Sequence, residues 1–150
     1  MWSSGCETRT LSVYFDASFL VALIVEDAHN DRADAYLSAG TPDPFVSDFA
    51  ALEFAAVIGV RLRRGELEQA GARAALADLN AWRARSASSC ELTSNDLAAA
   101  DAFLRRLDLT LRAPDALHLA IAHRLGLQLA SFDQRMLASA KSLGIALADL

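Results

Sequence analysis

The stretch whose reading decides the fold is Leu111-Arg112-Ala113-Pro114-Asp115-Ala116-Leu117-His118-Leu119-Ala120-Ile121-Ala122, followed closely by Leu127-Gln128-Leu129-Ala130-Ser131-Phe132-Asp133. Proline suits the first turn of a helix, where no N–H partner is lost, and the helix dipole favours an aspartate beside it. The residues that follow are apolar on nearly every side, so the helix they form is expected to be buried. Gly126 ends it. The apolar run 127–131 is too short for another helix and reads as a strand. A buried helix followed at once by a short apolar strand is one unit of a parallel sheet covered by helices. Each element leaves an aspartate, Asp115 or Asp133, at its rim.

Upstream, the same alternation recurs. Residues 1–10 lack periodicity and read as a flexible tail, and 11–15 form a strand that ends at Asp16. Phe19, Leu20, Leu23 and Ile24 then repeat at helical spacing. A helix over 29–38 ends at Gly40 and the turn Thr41-Pro42-Asp43-Pro44. A short strand at 45–47 leads into a helix over 48–62, with Leu52, Ala55, Ala56, Ile58 and Gly59 on one side. Glu53 lies within that apolar stretch, either on a narrow solvated face or turned towards a site. The helix over 66–85 places Leu76, Leu79 and Trp82 on one stripe, with Trp82 expected in the core or a subunit interface. Residues 89–92 read as a strand, and Thr93-Ser94-Asn95-Asp96 as a capping box in which Asp96 is a cap, with Asp101 solvated. Residues 133–143 form a last helix, and 145–147 a last strand. The expected fold is a single α/β domain over 11–150, with a mostly parallel, short-stranded sheet between helical layers.

Composition narrows the function. The 150-residue chain is 53% hydrophobic but only 7% aromatic, which suits closely packed helices and excludes disorder. A net charge of −5 gives no global basic footprint, so nucleic acid would bind through local arginines or a metal. Cys6 and Cys90 form neither a disulfide framework nor a zinc motif, which points to the cytoplasm. The apolar run 19–25 is flanked by Asp16 and Glu26-Asp27 and has no cleavage site, so no signal peptide is expected. No run is long enough to span a membrane.

In parallel sheets, ligands bind beyond the carboxyl ends of the strands. Asp16 and Asp133 follow strand ends, Asp115 heads a helix, and Glu53 lies about two turns into one. Crowded carboxylates bind protons or a cation. With oxygen ligands alone, the cation is Mg²⁺ or Mn²⁺, which activates water and stabilises charge on a phosphoryl oxygen. A dehalogenase-type phosphatase would need aspartate where Ser18 stands, a receiver domain would need a better-placed lysine than Lys141, and no glycine-rich phosphate loop is present. His118 and His123 are separated by roughly 140° around their helix, so they do not act as a pair. His118 reads as a packing or supporting residue.

These residues resemble the PIN-domain ribonucleases, and within them the VapC toxins of type II toxin–antitoxin pairs. The matching features are Phe15-Asp16-Ala17-Ser18, Glu53, the run from Arg112 to Ala120, and Ser131-Phe132-Asp133, within a likeness that spans nearly all of 13–145. The resemblance implies a three-layer α/β/α PIN fold and a Mg²⁺-dependent endoribonuclease, with Mn²⁺ as a substitute. It makes Asp16, Glu53, Asp115 and Asp133 the catalytic, metal-binding acids, with Ser18 and Ser131 supplying hydroxyls nearby. The family more often has threonine at the Ser131 position; the hydroxyl is kept. Arg112 is either a contact for the RNA phosphate or a surface salt bridge. The implied partners are RNA, a second copy in a homodimer, and a cognate antitoxin whose segment crosses the site beside the helices of 48–85. Two other readings stay open: a PIN nuclease in RNA processing without an antitoxin, and a catalytically silent module that binds RNA or protein.

Overall fold

The computed structural model describes residues 11–40 and 42–150. The expected tail, with Cys6, lies outside the described residues. Four strands, β1 (Ser12–Phe15), β2 (Asp43–Ser47), β3 (Ser88–Cys90) and β4 (Gln128–Ala130), pair in the order β3-β2-β1-β4. Every neighbour is parallel. β1 is interior because its residues are apolar on both faces: Val13, Tyr14 and Phe15 are all fully buried.

The pleat sorts those side chains between two cores. Val13 and Phe15 meet one helical layer, made of α1 (Ala17–Ile24), α2 (Asn30–Ala39), α3 (Asp48–Arg63) and α4 (Gln69–Ser86). Tyr14 and Leu129 meet the other, where α6 (Ala113–Leu125) and α7 (Gln134–Ser142) pack. α5 (Ser94–Arg105) lies on α6 through Ala100, Ala116 and Ala120, whose small side chains allow close approach. This is the expected three-layer α/β/α architecture. Leu119 and Ile121 of α6 are wholly buried, and each contributes on the order of 1.5–3 kcal/mol through burial.

Local rules account for most boundaries. Gly126 closes α6 in the left-handed conformation at φ 64°, and Thr93 and Asp96 form the expected capping box of α5. α4 begins at Gln69 rather than 66, because Gly65 turns the chain at φ 73° before the Glu68 cap. Trp82 joins the core, its ring parallel to Phe15 at 6.0 Å between centroids. Two expectations are corrected. Of the stripe assigned to 48–62, only Ile58 is buried. α3 buries Ala50, Phe54 and Ile58, whereas Ala55 and Ala56 are exposed and Leu52 is 67% exposed. Alanine and leucine occur all round this helix, so periodicity did not mark the face. Residues 145–147 form no strand: Leu147 makes one parallel bridge to Leu129, held by Ala148 N–H to Leu129 and Leu129 N–H to Ala146.

Candidate active site

Because all four strands run the same way, their carboxyl ends share one edge, and the chain leaves that edge at Asp16, Ser47 and Ser131. A cleft of about 380 Å³ opens there. Its walls include Asp16, Glu53, Asp115 and Asp133, together with Arg112, His118 and His29. The four acids separated by as much as 117 positions in the chain thus line one cavity.

Three of them are held by helix starts. Asp16 caps α1, accepting the Phe19 N–H at 3.0 Å. It also accepts the Ser18 hydroxyl at 2.8 Å and the Ser131 hydroxyl at 2.6 Å. Burial pushes the Asp16 carboxyl above the usual range, against the opposing pull of His118, the two hydroxyls and Phe19 N–H. Asp133 caps α7 through the N–H groups of Arg135 and Met136. Asp115, in the first turn of α6, reaches back to the Arg112 N–H at 3.0 Å. Helix dipoles favour a carboxylate at each of these positions. Ser18 and Ser131 are 3.2 Å apart and tie the β1 and β4 ends together. Ser131 also takes the Asp133 N–H, and Ser18 the Phe132 N–H.

Glu53 is held differently. It lies in the body of α3, where no backbone N–H is free, and its Oε2 lies 3.2 Å from His118 Nε2. The other ring nitrogen of His118 lies 2.7 Å from the Tyr14 hydroxyl, itself 2.7 Å from Ser47 Oγ. Burial keeps the Tyr14 pKa well above its ordinary value, so it remains a hydroxyl. Arg112, 74% exposed, pairs with Asp115 at 3.3 Å and Asp133 at 3.7 Å.

The sequence reading assigned nothing to Tyr14 or Ser47 beyond their strands, and nothing to His29. The His29 ring lies flat on Phe132, 4.5 Å between centroids, at the cleft wall. No spacing rule links residues brought together from separate strands. His123, exposed on the opposite side of α6, is remote from His118's role.

Among the described residues, no three acidic, histidine or cysteine side chains already stand at mutual ligating distance. Arg112 engages two of the acids and His118 a third. The donor set nevertheless suits a hard divalent cation, being four carboxylates with hydroxyls behind them. The sharper sign is Glu53 Oε1, which is buried with no hydrogen-bond partner among the described residues. A buried carboxylate oxygen left unpaired is costly, and a cation relieves that cost.

A parallel sheet with acidic side chains gathered at its carboxyl edge is an arrangement found in nucleases. The PIN domain profile matches residues 13–143. Ribonuclease VapC46 of Mycobacterium tuberculosis is 35% identical over 118 residues, covering 79% of each protein. The crystal structure of VapC20 from Mycobacterium tuberculosis, a Sarcin-Ricin loop cleaving toxin, superposes with a TM-score of 0.68 at 25% identity, covering 85% of this chain and 95% of that one. VapBC2 from Rickettsia felis, solved with a DNA fragment from its promoter, shares the fold at a TM-score of 0.66 and 12% identity, over 92% and 98% of the two chains. The chain belongs to the PIN-domain family, as a nuclease related to the VapC ribonucleases.

Proposed function

We propose that the protein is a Mg²⁺-dependent endoribonuclease, the toxin of a toxin–antitoxin pair. The observation that carries the metal site is the cleft in which Asp16, Glu53, Asp115 and Asp133 meet, with Glu53 Oε1 buried and unpaired. These four carboxylates would hold the ion, and Mn²⁺ would substitute for Mg²⁺. When bound, the metal supplies an activated water and neutralises charge on the scissile phosphate. Ser18 and Ser131 orient Asp16, while exposed Arg112 exchanges its acid partners for an RNA phosphate. The toxin role draws support from VapC20, described as a toxin, and from the paired VapBC2 assembly. On this reading an antitoxin covers the cleft, the active form is a homodimer, and the protein works in the cytoplasm. Among the described residues, no helix is long and apolar enough to cross a membrane.

The test is cleavage of RNA by the purified protein. Activity should need Mg²⁺ or Mn²⁺, stop with EDTA, and vanish in Asp16→Asn. Induced expression should arrest growth, and co-expression of the antitoxin should relieve the arrest. Equal arrest by wild type and Asp16→Asn would overturn the nuclease mechanism.

A further inference from the structure

His118 stands between buried Tyr14 and half-buried Glu53, and the proton inventory of those groups restricts how it can be wired. An ionised Glu53 only accepts hydrogen bonds, so His118 Nε2 must carry a proton to meet Oε2 at 3.2 Å. Two arrangements then remain for Nδ1. In the first, Nδ1 also carries a proton and donates to Tyr14, and Tyr14 must donate to Ser47. Ser47 Oγ already accepts the Ala50 N–H at 2.9 Å. Its own hydrogen would therefore be left with no acceptor among the described residues, in a fully buried side chain. Buried donors without acceptors are rare because desolvation goes uncompensated. In the second arrangement every group is satisfied. Ser47 O–H donates to Tyr14, Tyr14 O–H donates to Nδ1, and Nε2–H donates to Glu53.

We propose that Ser47 and Tyr14 fix the His118 ring with Nε2–H facing Glu53, so that His118 clamps Glu53 Oε2 and leaves Oε1 for the cation. This rests on reading Glu53 as a metal ligand. Tyr14 touches neither metal nor substrate, and acts as a positioning residue through His118. The relay has a clear reason in the fold. The three aspartates are fixed by backbone N–H groups at helix starts, whereas a glutamate in mid-helix has none and needs a donor brought from elsewhere. Partners that orient a ligand in this way tune metal affinity as well as geometry.

The experiment is Mn²⁺ titration followed by electron paramagnetic resonance, on the full chain without RNA, alongside long-range ¹H–¹⁵N NMR of His118. Wild type should show the proton on Nε2. Tyr14→Phe keeps the ring in the core, and should weaken Mn²⁺ binding by roughly 10–100-fold while releasing the fixed tautomer. A second pair guards against misfolding of that variant: His118→Gln, whose amide keeps a donor for Glu53, should bind Mn²⁺ more tightly than His118→Ala. A wild-type proton on Nδ1, or unchanged Mn²⁺ affinity in folded Tyr14→Phe, would overturn the relay. Glu53→Gln separates the two readings. If it binds Mn²⁺ as wild type does, the metal-site reading fails and the relay with it. If it loses the ion while Tyr14→Phe keeps it, the relay alone fails.

Discussion

Asp16 and Asp96 are near twins in local structure and opposites in electrostatics. Both are buried aspartates at a helix start, Asp16 as the cap of α1 and Asp96 in the first turn of α5, 3% and 1% exposed, and both accept a backbone N–H there. Burial works against ionisation at Asp96, but two Arg124 hydrogen bonds at 2.7 and 3.0 Å, with the Thr93 N–H and hydroxyl, outweigh it and hold the carboxyl below its usual range. At Asp16 the partners are hydroxyls and one N–H, with no arginine or lysine in ion-pair contact among the described residues, and burial wins. One aspartate carries its own cation; the other is arranged as though a cation comes from outside. Local capping chemistry is therefore a poor guide to function, and the missing counter-charge a good one.

The contrast is most exposed to failure in catalysis. Asparagine retains the capping geometry at either position but removes the charge. Asp16→Asn should lower RNA cleavage by more than the roughly 10–100-fold expected for a supporting residue, while Asp96→Asn leaves the initial rate unchanged once folding is matched. Comparable losses in both would erase the distinction.

Next in size is metal-linked stability. At a Mn²⁺ concentration about 100 times its Kd, wild type should gain roughly 2.7 kcal/mol, measured as a rise in denaturation midpoint, and Asp16→Asn should gain almost none. Without metal the ranking reverses. Asp96→Asn should lose about 1.5–3 kcal/mol, because charged hydrogen bonds to Arg124 are weakened in a buried setting. Asp16→Asn should lose nothing in EDTA, and a large loss there would show that Asp16 is structural.

The smallest effect lies in the pH dependence of melting without metal, where the signs are opposite. The Asp96 carboxyl is lowered, so its contribution is full above the ordinary aspartate value near ~3.9 and is lost as pH falls through the folded value. The gap between wild type and Asp96→Asn should close in acid. The Asp16 carboxyl is raised, so its ionisation weighs against folding once pH rises through the folded value. Asp16→Asn should therefore gain on wild type towards neutral pH, and the gain should shrink on acidification. Parallel curves for the two variants would refute the electrostatic assignment.

How far the sequence could be read follows from the range of the forces involved. Asp16, Asp115 and Asp133 were legible because strand ends, a first-turn proline and helix-start preferences are all local. The parallel three-layer order was legible because buried helices alternate with short apolar strands. Glu53 was ambiguous on periodicity alone, since alanines surround α3; topology set it beside the three aspartates, and the family resemblance gave it a role. The Tyr14–His118–Ser47 relay was invisible. Its links join residues 33 and 104 positions apart, and no local pattern records which hydroxyl meets which imidazole. The single Leu129–Leu147 bridge defeated the last strand assignment for a related reason: residues 145–147 are apolar enough for a strand, but pairing ends after one bridge.

The strand order has a consequence in time as well as in space. β4, the last strand made, is the one that completes the sheet beside β1, the first. The Ser131–Asp16 bond closes a loop of 115 positions. Loop closure on that scale comes late in folding, after local helices have formed. During synthesis, a chain that has not reached residue 115 lacks both the strand and two of the four acids, and one that has not reached 133 still lacks the last acid. The cleft is therefore incomplete until residue 133 has been made, so the acidic site is among the last features of the fold to be assembled.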